Sequence, residues 1–488
     1  MSELLEKARA YERKAAENTA DQGRPAFHFS NPVGWMNDPN GFSEYKGEHH
    51  LFFQYYPYAT QWNSMHWGHA KSRDFIKWEY LPAALAPDCV YDDFGVFSGS
   101  AIEDGDQQVL IYTGVEERIQ ENGDKWIRQN QCIAIGDGLN YQKLAQNPVV
   151  SADMLPEGSS KEDFRDPKMW KEDGRYYMVV GSRSGDGSGQ IAIFVADTLT
   201  AWKFAGILDR SENKCGKMWE CPDFFPLADQ QILMISPQEM EAEGLEFHNG
   251  NNVAFLLGSY EKKEFRFKRE KIQSVDYGLD FYAPQTMLAE DGRRILIGWM
   301  QSWDNPLYSD RQPWSGMMTV PRELSLRNGR VCQRPVRELE TYRKDKVSYK
   351  DVCVEKEVEL EGIEGRCIDL ELRLKGGSCG KDRIKLASDG RLYSEIIYDR
   401  EEQVLTFDRT HAGLKRDTIS TRSMKAEGSN GVLSLRILLD RYSVEIFVND
   451  GEQVMTSLIY TPFTAAQISF AGSGETYLDV IKYDIAVK

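Results

Sequence analysis

A six-residue motif that returns five times constrains this chain more than any other feature. Asn37-Asp-Pro-Asn-Gly-Phe, Phe97-Ser-Gly-Ser-Ala-Ile, Arg165-Asp-Pro-Lys-Met-Trp, Glu220-Cys-Pro-Asp-Phe-Phe and Tyr282-Ala-Pro-Gln-Thr-Met align, four of them with Pro at the third place. About ten residues after each comes a dense apolar run: Leu51-Phe-Phe-Gln-Tyr, Val109-Leu-Ile-Tyr, Tyr176-Tyr-Met-Val-Val, Ile232-Leu-Met-Ile and Ile295-Leu-Ile-Gly-Trp. The third places are 60, 68, 55 and 62 residues apart. Self-similarity on that scale marks a repeat architecture, and such a unit holds the four strands and turns of one propeller blade. Outer segments repeat too: Ser72-Arg-Asp-Phe-Ile-Lys-Trp, Gly136-Asp-Gly-Leu-Asn-Tyr and Ala196-Asp-Thr-Leu-Thr-Ala-Trp place a small residue and Asp before an aromatic. The spacing predicts a five-bladed β-propeller over 25–337.

Beyond it the unit stops. A charged stretch, 338–346, reads as a linker. Alternating segments such as Val358-Glu-Leu-Glu and Leu433-Ser-Leu-Arg-Ile-Leu-Leu follow, with a hairpin pattern around Asn449-Asp-Gly451. Alternation about an Asn-Asp-Gly turn predicts half-buried antiparallel strands, so 347–488 is read as a β-sandwich. The charged, helix-favouring residues 1–24 form an N-terminal helical extension. The class is all-β: a propeller followed by a sandwich, within the size that 488 residues allow for two domains.

Charge and composition narrow the partners. A formal charge of -17 with no concentrated Lys and Arg window disfavours a nucleic-acid surface. No segment is apolar enough for a membrane span, and the first residues lack the apolar run of a secretory signal. The expected location is cytoplasmic and the expected state a monomer or homodimer. The eight cysteines are dispersed and read as reduced thiols. His66-Trp-Gly-His69, with His49-His50 nearby, resembles half a metal site. No later Cys, His and carboxylate cluster completes it, so imidazoles hydrogen-bonded to neighbours are the plainer reading.

Three carboxylates carry the chemistry. The first strand of each propeller blade lines the central channel, so equivalent places of successive units converge. Asp38 and Asp166 share a place in units one and three, and Glu220 stands one place earlier in unit four. Singly, Asp38 fits a turn residue, Asp166 an ion pair with Arg165, and Glu220 a solvated strand end. Together at one funnel, three acids resist ionising at once, which separates the acid and base roles. Glycoside hydrolysis uses such a set. The one-place offset would turn Glu220 to the opposite face of a regular strand, so a bend or bulge is expected before Pro222.

At these residues the sequence resembles glycoside hydrolase family 32, the invertases, sucrose-6-phosphate hydrolases, fructanases and related fructosidases. Trp35-Met-Asn-Asp-Pro-Asn-Gly41, Phe164-Arg-Asp-Pro167 and Glu220-Cys-Pro-Asp223 are similar to the family's three motifs, in order. The resemblance implies a five-bladed propeller and sandwich, and retaining hydrolysis of sucrose, sucrose 6-phosphate or short fructo-oligosaccharides. It implies Asp38 as nucleophile, Glu220 as acid and base, and Asp166 as the holder of fructose hydroxyls. Trp35, Met36, Asn37, Gln54, Trp62, Phe97, Ser98 and Arg165 match substrate-binding positions, though aromatic channel packing is the plainer account of Trp62 and Phe97. Trp303 is a candidate on the leaving-sugar side. Arg183, Lys217, Arg293 and Arg311 are candidates for a phosphate, with surface solvation the plainer account of each. No metal or organic cofactor is expected, since proton transfer and ester formation need only carboxyls. Two rivals remain: an inverting arabinan- or xylan-cleaving five-bladed hydrolase, and a non-catalytic glycan-binding propeller.

Overall fold

The computed structural model describes residues 2–17, 23–119, 122–305, 312–377, 379–413, 418–473 and 476–487. Five antiparallel sheets follow one another along the chain from Gly34 to Pro335. Their innermost strands are Gly34–Tyr45, Gly95–Asp104, Phe164–Glu172, Met218–Leu227 and Tyr282–Leu288, and each begins at or just before one copy of the repeated motif. Neighbouring inner strands touch in order, and the fifth returns to the first. The sheets are thus the five blades of a closed propeller. Trp314–Ser315 closes the ring by pairing in parallel with Gly34 and Trp35 of blade one.

Side chains bond the blades to one another just below the motif. Asn40 Oδ1 accepts from Gly99 N (3.2 Å), and Ser100 Oγ accepts from Met169 N (2.9 Å). Asp223 meets the Lys168 ammonium at 3.0 Å and accepts from Thr286 N at 2.7 Å, while Gln285 Oε1 accepts from Phe42 N at 3.1 Å. Every blade is therefore tied to the next through polar side chains of the inner strands.

Two further sheets pack around a separate apolar core. One has six strands, from Arg343–Cys353 at one edge to Gln453–Leu458 at the other; the second has five, from Thr421–Lys425 to Gln467–Gly472. Ser443–Val448 pairs with Gln453–Leu458 around Asn449, Asp450 and Gly451, all at positive φ. The charged stretch read as a linker is ordered: a 3-10 helix covers Arg337–Tyr342, and a sandwich strand starts at Arg343. Arg343 meets Asp369 at 2.8 Å and Glu371 at 2.6 Å, so this charge serves pairing, while Lys344, Asp345 and Lys346 stay exposed. Near the N-terminus, helix Glu3–Glu17 docks on blade one, where Arg9 Nε donates to Ala83 O and Glu12 accepts from Ala83 N, both at 2.8 Å.

A buried ionic network joins propeller and sandwich. His28 lies 2.8 Å from Asp440 and 2.9 Å from Glu445. Glu445 also meets Arg322 at 2.5 Å, and Arg322 meets Asp276 at 3.0 Å. Close to it, a Cβ on Gly278 would stand 1.9 Å from Thr456 O, so the two units meet backbone to backbone. Burial disfavours the imidazolium of His28, but hydrogen bonds to Asp440 and Glu445, with their charges, raise its pKa to about 9. A folded pKa above the unfolded value contributes stability that is complete below about 6.5 and lost as pH rises through the folded pKa. His28→Gln is therefore expected to cost about 3 kcal/mol near pH 6. Thermal midpoints of variant and wild type should converge between pH 7 and 10; a constant gap would refute the charged histidine.

Candidate active site

Each inner strand carries one extra residue at the level of the motif. Met36 faces Tyr55 but Pro39 faces Phe53; Phe97 faces Thr113 but Gly99 faces Tyr112. Arg165 faces Gly181 but Lys168 faces Val179, Glu220 faces Ser236 but Asp223 faces Met234, and Tyr282 faces Trp299 but Gln285 faces Ile297. These are β-bulges, which suspend the alternation of faces. The bend expected before Pro222 is there, with Cys221 at φ 45°. Asp166, at φ 67°, occupies a left-handed conformation uncommon for a residue with a side chain. Asp38 and Asp166 lie within their bulges and Glu220 immediately before its own. The offset between them in sequence is absorbed there, and all three reach one site.

Their contacts interlock. Ser98 Oγ donates to Asp38 Oδ2 at 2.7 Å and Asn37 Nδ2 to Asp38 Oδ1 at 3.0 Å. Asn37 is itself held by Trp35 Nε1 at 2.8 Å. The Cys221 thiol lies 3.7 Å from Asp38 Oδ2 and 3.6 Å from Asp166 Oδ2, and Cys221 N donates to the same Asp166 oxygen at 3.0 Å. Glu220 receives three donors: Arg165 Nε at 2.9 Å, Gln238 Nε2 at 2.8 Å and the Tyr282 hydroxyl at 2.7 Å.

Burial sets the electrostatics. It raises the pKa of Asp38, and Glu220 adds to this, while the donors Ser98 and Asn37 oppose it. Asp166 is raised by burial, then by the charge of Glu220, against the pull of Arg165. Burial opposes the Arg165 charge, but Glu220, Asp166 and Asp163 outweigh it and keep the guanidinium charged. Asp166 is buried, whereas Asp38 and Glu220 remain partly open to the funnel. One permanent cation among three acids allows more than one of them to ionise.

The other sequence candidates divide. Asn37, Ser98 and Arg165 touch the acids directly. Gln54 sits opposite the blade-one bulge and donates to Val96 O at 3.1 Å. Trp62, 37% exposed, packs edge-on to Phe97 at 6.0 Å between ring centres, forming an open aromatic wall. Trp303 stacks on Trp35 at 6.2 Å. Met36 is fully buried in the propeller core, so its role in the structure is packing beneath the site. Arg293 is held by Asp291, Glu323 and Glu338 beyond the far end of its inner strand, away from the acids. Arg183 and Lys217 stand near the acid end of blades three and four, the first 3.9 Å from Asp163 and the second 3.4 Å from Glu239. Arg311 lies outside the described residues.

Sequence reasoning did not single out Tyr282, Gln238 or Cys221 as functional. The repeat contained the signal for two of them: Tyr282 takes in blade five the place of Glu220 in blade four, and Cys221 takes that of Asp166 relative to the bulge. Gln238 ends an ordinary strand and carried none. His50 Nδ1 and His69 Nε2 are 2.9 Å apart, and His69 stacks on Phe52. Asp88, Cys89 and Asp92 converge elsewhere, but the Lys143 ammonium lies against both carboxylates at 2.5 and 2.6 Å.

Comparison with known proteins agrees with this geometry. The model of the Glycosyl hydrolases family 32 N-terminal domain matches residues 28–335, and that of the Glycosyl hydrolases family 32 C terminal matches 338–485. The chain is 38% identical over 462 residues to a sucrose-6-phosphate hydrolase of Escherichia coli, covering 94% of each chain. It is 37% identical over 484 residues to an Escherichia coli raffinose invertase, covering 98% of each. Among solved structures, the Bombyx mori GH32 beta-fructofuranosidase, as a mutant in complex with sucrose, superposes with a TM-score of 0.85 at 33% identity, over 99% of this chain and 98% of that one. Matched in order through both of its domain models, with the acids of all three motifs gathered at one funnel, this chain belongs to glycosyl hydrolase family 32.

Proposed function

We propose that the protein is a retaining β-fructofuranosidase that releases the terminal non-reducing fructose of sucrose, sucrose 6-phosphate or short fructo-oligosaccharides. The observation that carries this reading is the division of labour among the acids. Asp38 is oriented toward the funnel by two neutral donors, and Glu220 is held by Arg165, Gln238 and Tyr282. Asp38 attacks C2 of the fructosyl unit while Glu220 protonates the departing sugar oxygen, and the C2–O bond breaks to leave a fructosyl ester on Asp38. Glu220 then takes a proton from water, which attacks C2 and frees Asp38. Asp166 accepts fructose hydroxyls as positive charge develops on the ring. The eight unbridged cysteines fit a reducing, cytoplasmic setting, in which the enzyme acts on imported sugars as a monomer or homodimer. No helix among the described residues is long and apolar enough to cross a membrane.

The test compares kcat/KM on sucrose, sucrose 6-phosphate, kestose and arabinan, with the anomer first released read by NMR. Fructose appearing first as the β-anomer from at least one fructoside is the expected result. Arabinan turnover without fructose release, or first appearance of the α-anomer, would overturn the reading.

A further inference from the structure

Trp303 sits in a tight turn of blade five, where Asn305 N donates to Ser302 O at 3.1 Å. Its ring is 4.9 Å from that of Trp299 and stacks on Trp35, whose indole nitrogen holds Asn37 against Asp38. The position of this turn thus bears on a wall two side chains removed from Asp38. What fixes the turn lies largely outside its own blade. Asp304 accepts from Asn251 N and Nδ2 of blade four, both at 2.7 Å. Asn305, 3% exposed, donates through Nδ2 to Asp280 Oδ1 at 3.0 Å. Asp280 is fully buried, and its other oxygen accepts from two sandwich groups: Arg409 Nη1 at 2.5 Å and Leu458 N at 2.8 Å. Arg409 is 1% exposed and also donates to Leu458 O at 2.9 Å.

We infer that the sandwich sets selectivity for the leaving sugar through Arg409, Asp280 and Asn305, which act as positioning residues for Trp303. A buried carboxylate with both oxygens engaged cannot shift without stranding a donor, so the turn is fixed relative to the second domain rather than to blade five alone. Ser98 and Arg165 meet the acids from blades two and three without touching this relay, and Asn37 is joined to it only through Trp35, which its own strand pairing with Ser315 and Tyr56 holds in place. Releasing the turn should therefore loosen the hold on the leaving sugar while leaving the fructosyl side in place. The inference rests on the fructosidase reading above.

Asn305→Ala cuts the relay at its last bond and leaves the Asp280–Arg409 pair intact. The expected result is a rise of about tenfold in KM for sucrose with kcat within about twofold, the pattern of lost binding common to ground and transition states. Methyl β-D-fructofuranoside, whose leaving group is too small to reach the wall, should keep its kcat/KM within about twofold. Asn305→Ser, which retains a hydrogen-bonding group, should fall between variant and wild type, and is read by the same criterion if the alanine variant does not fold. Equal losses on both substrates, or unchanged sucrose kinetics in a folded variant, would overturn the relay. Failure of the wild type to cleave either substrate would instead overturn the fructosidase reading.

Discussion

Replacement of Asp38 by Asn is expected to lower kcat on sucrose by about 10⁵-fold or more, since removal of a nucleophile abolishes the covalent route and leaves only binding and electrostatic assistance. The substitution conserves shape. Ser98 can rotate its hydroxyl to suit an amide, and a propeller centre already dense in polar partners loses no volume, so the thermal midpoint should stay close to that of the wild type. KM should change far less than kcat, because Asn37, Gln54 and Arg165, the substrate positions that the family resemblance implies, are untouched. The decisive measurement is mass spectrometry of the denatured enzyme after rapid mixing with β-D-fructofuranosyl fluoride. The wild type should carry an added fructosyl mass on the peptide containing residue 38, and Asp38→Asn should carry none. An adduct on Asp166 or Glu220 instead, or wild-type turnover by the purified variant, would remove Asp38 from the nucleophile role.

The parts of this molecule that could be read from sequence are those that recur or that alternate. A bulged inner strand needs a residue that tolerates an unpaired backbone group, and Pro meets that need in four of five blades, which is why the repeat survives as a visible motif. The offset of Glu220 from the two aspartates was legible as a conflict with strand geometry, and the bulges found in all five blades resolve it. What escaped is made of single residues from distant segments. Nothing periodic marks His28, Asp440, Glu445 and Arg322 as one buried network, because each makes sense only once the two cores have docked. The stretch expected to be a linker proved to be a 3-10 helix and the start of a strand, and a run of charges reads as solvated until its partners, here Asp369 and Glu371 together on a strand two places away in the sheet, are known. Met36 matched a substrate position by motif, yet its own neighbours on the strand, Trp35 and Asn37, hold the site-facing contacts while Met36 fills the core.

Glu220→Gln should separate the two half-reactions. The amide oxygen can still accept from Arg165, and the amide nitrogen can donate to the Tyr282 hydroxyl, whose own proton can turn to Ser236 O, so the side chain keeps its place, but it can neither give nor take a proton. Sucrose, whose leaving sugar needs protonation, is expected to lose about 10²- to 10⁴-fold in kcat/KM, the range for removal of a general acid. β-D-Fructofuranosyl fluoride departs without that help, so formation of the ester on Asp38 should proceed at a rate close to that of the wild type. Its hydrolysis then stalls for want of a base, and a burst of one fluoride per active site should precede slow turnover. Azide attacks without giving up a proton. Adding it should restore turnover and yield β-fructofuranosyl azide, since two inversions at C2 return the starting configuration. The α-azide would mean direct displacement and an inverting enzyme. Equal loss on sucrose and the fluoride, with no burst and no response to azide, would reduce Glu220 to a structural partner of Arg165.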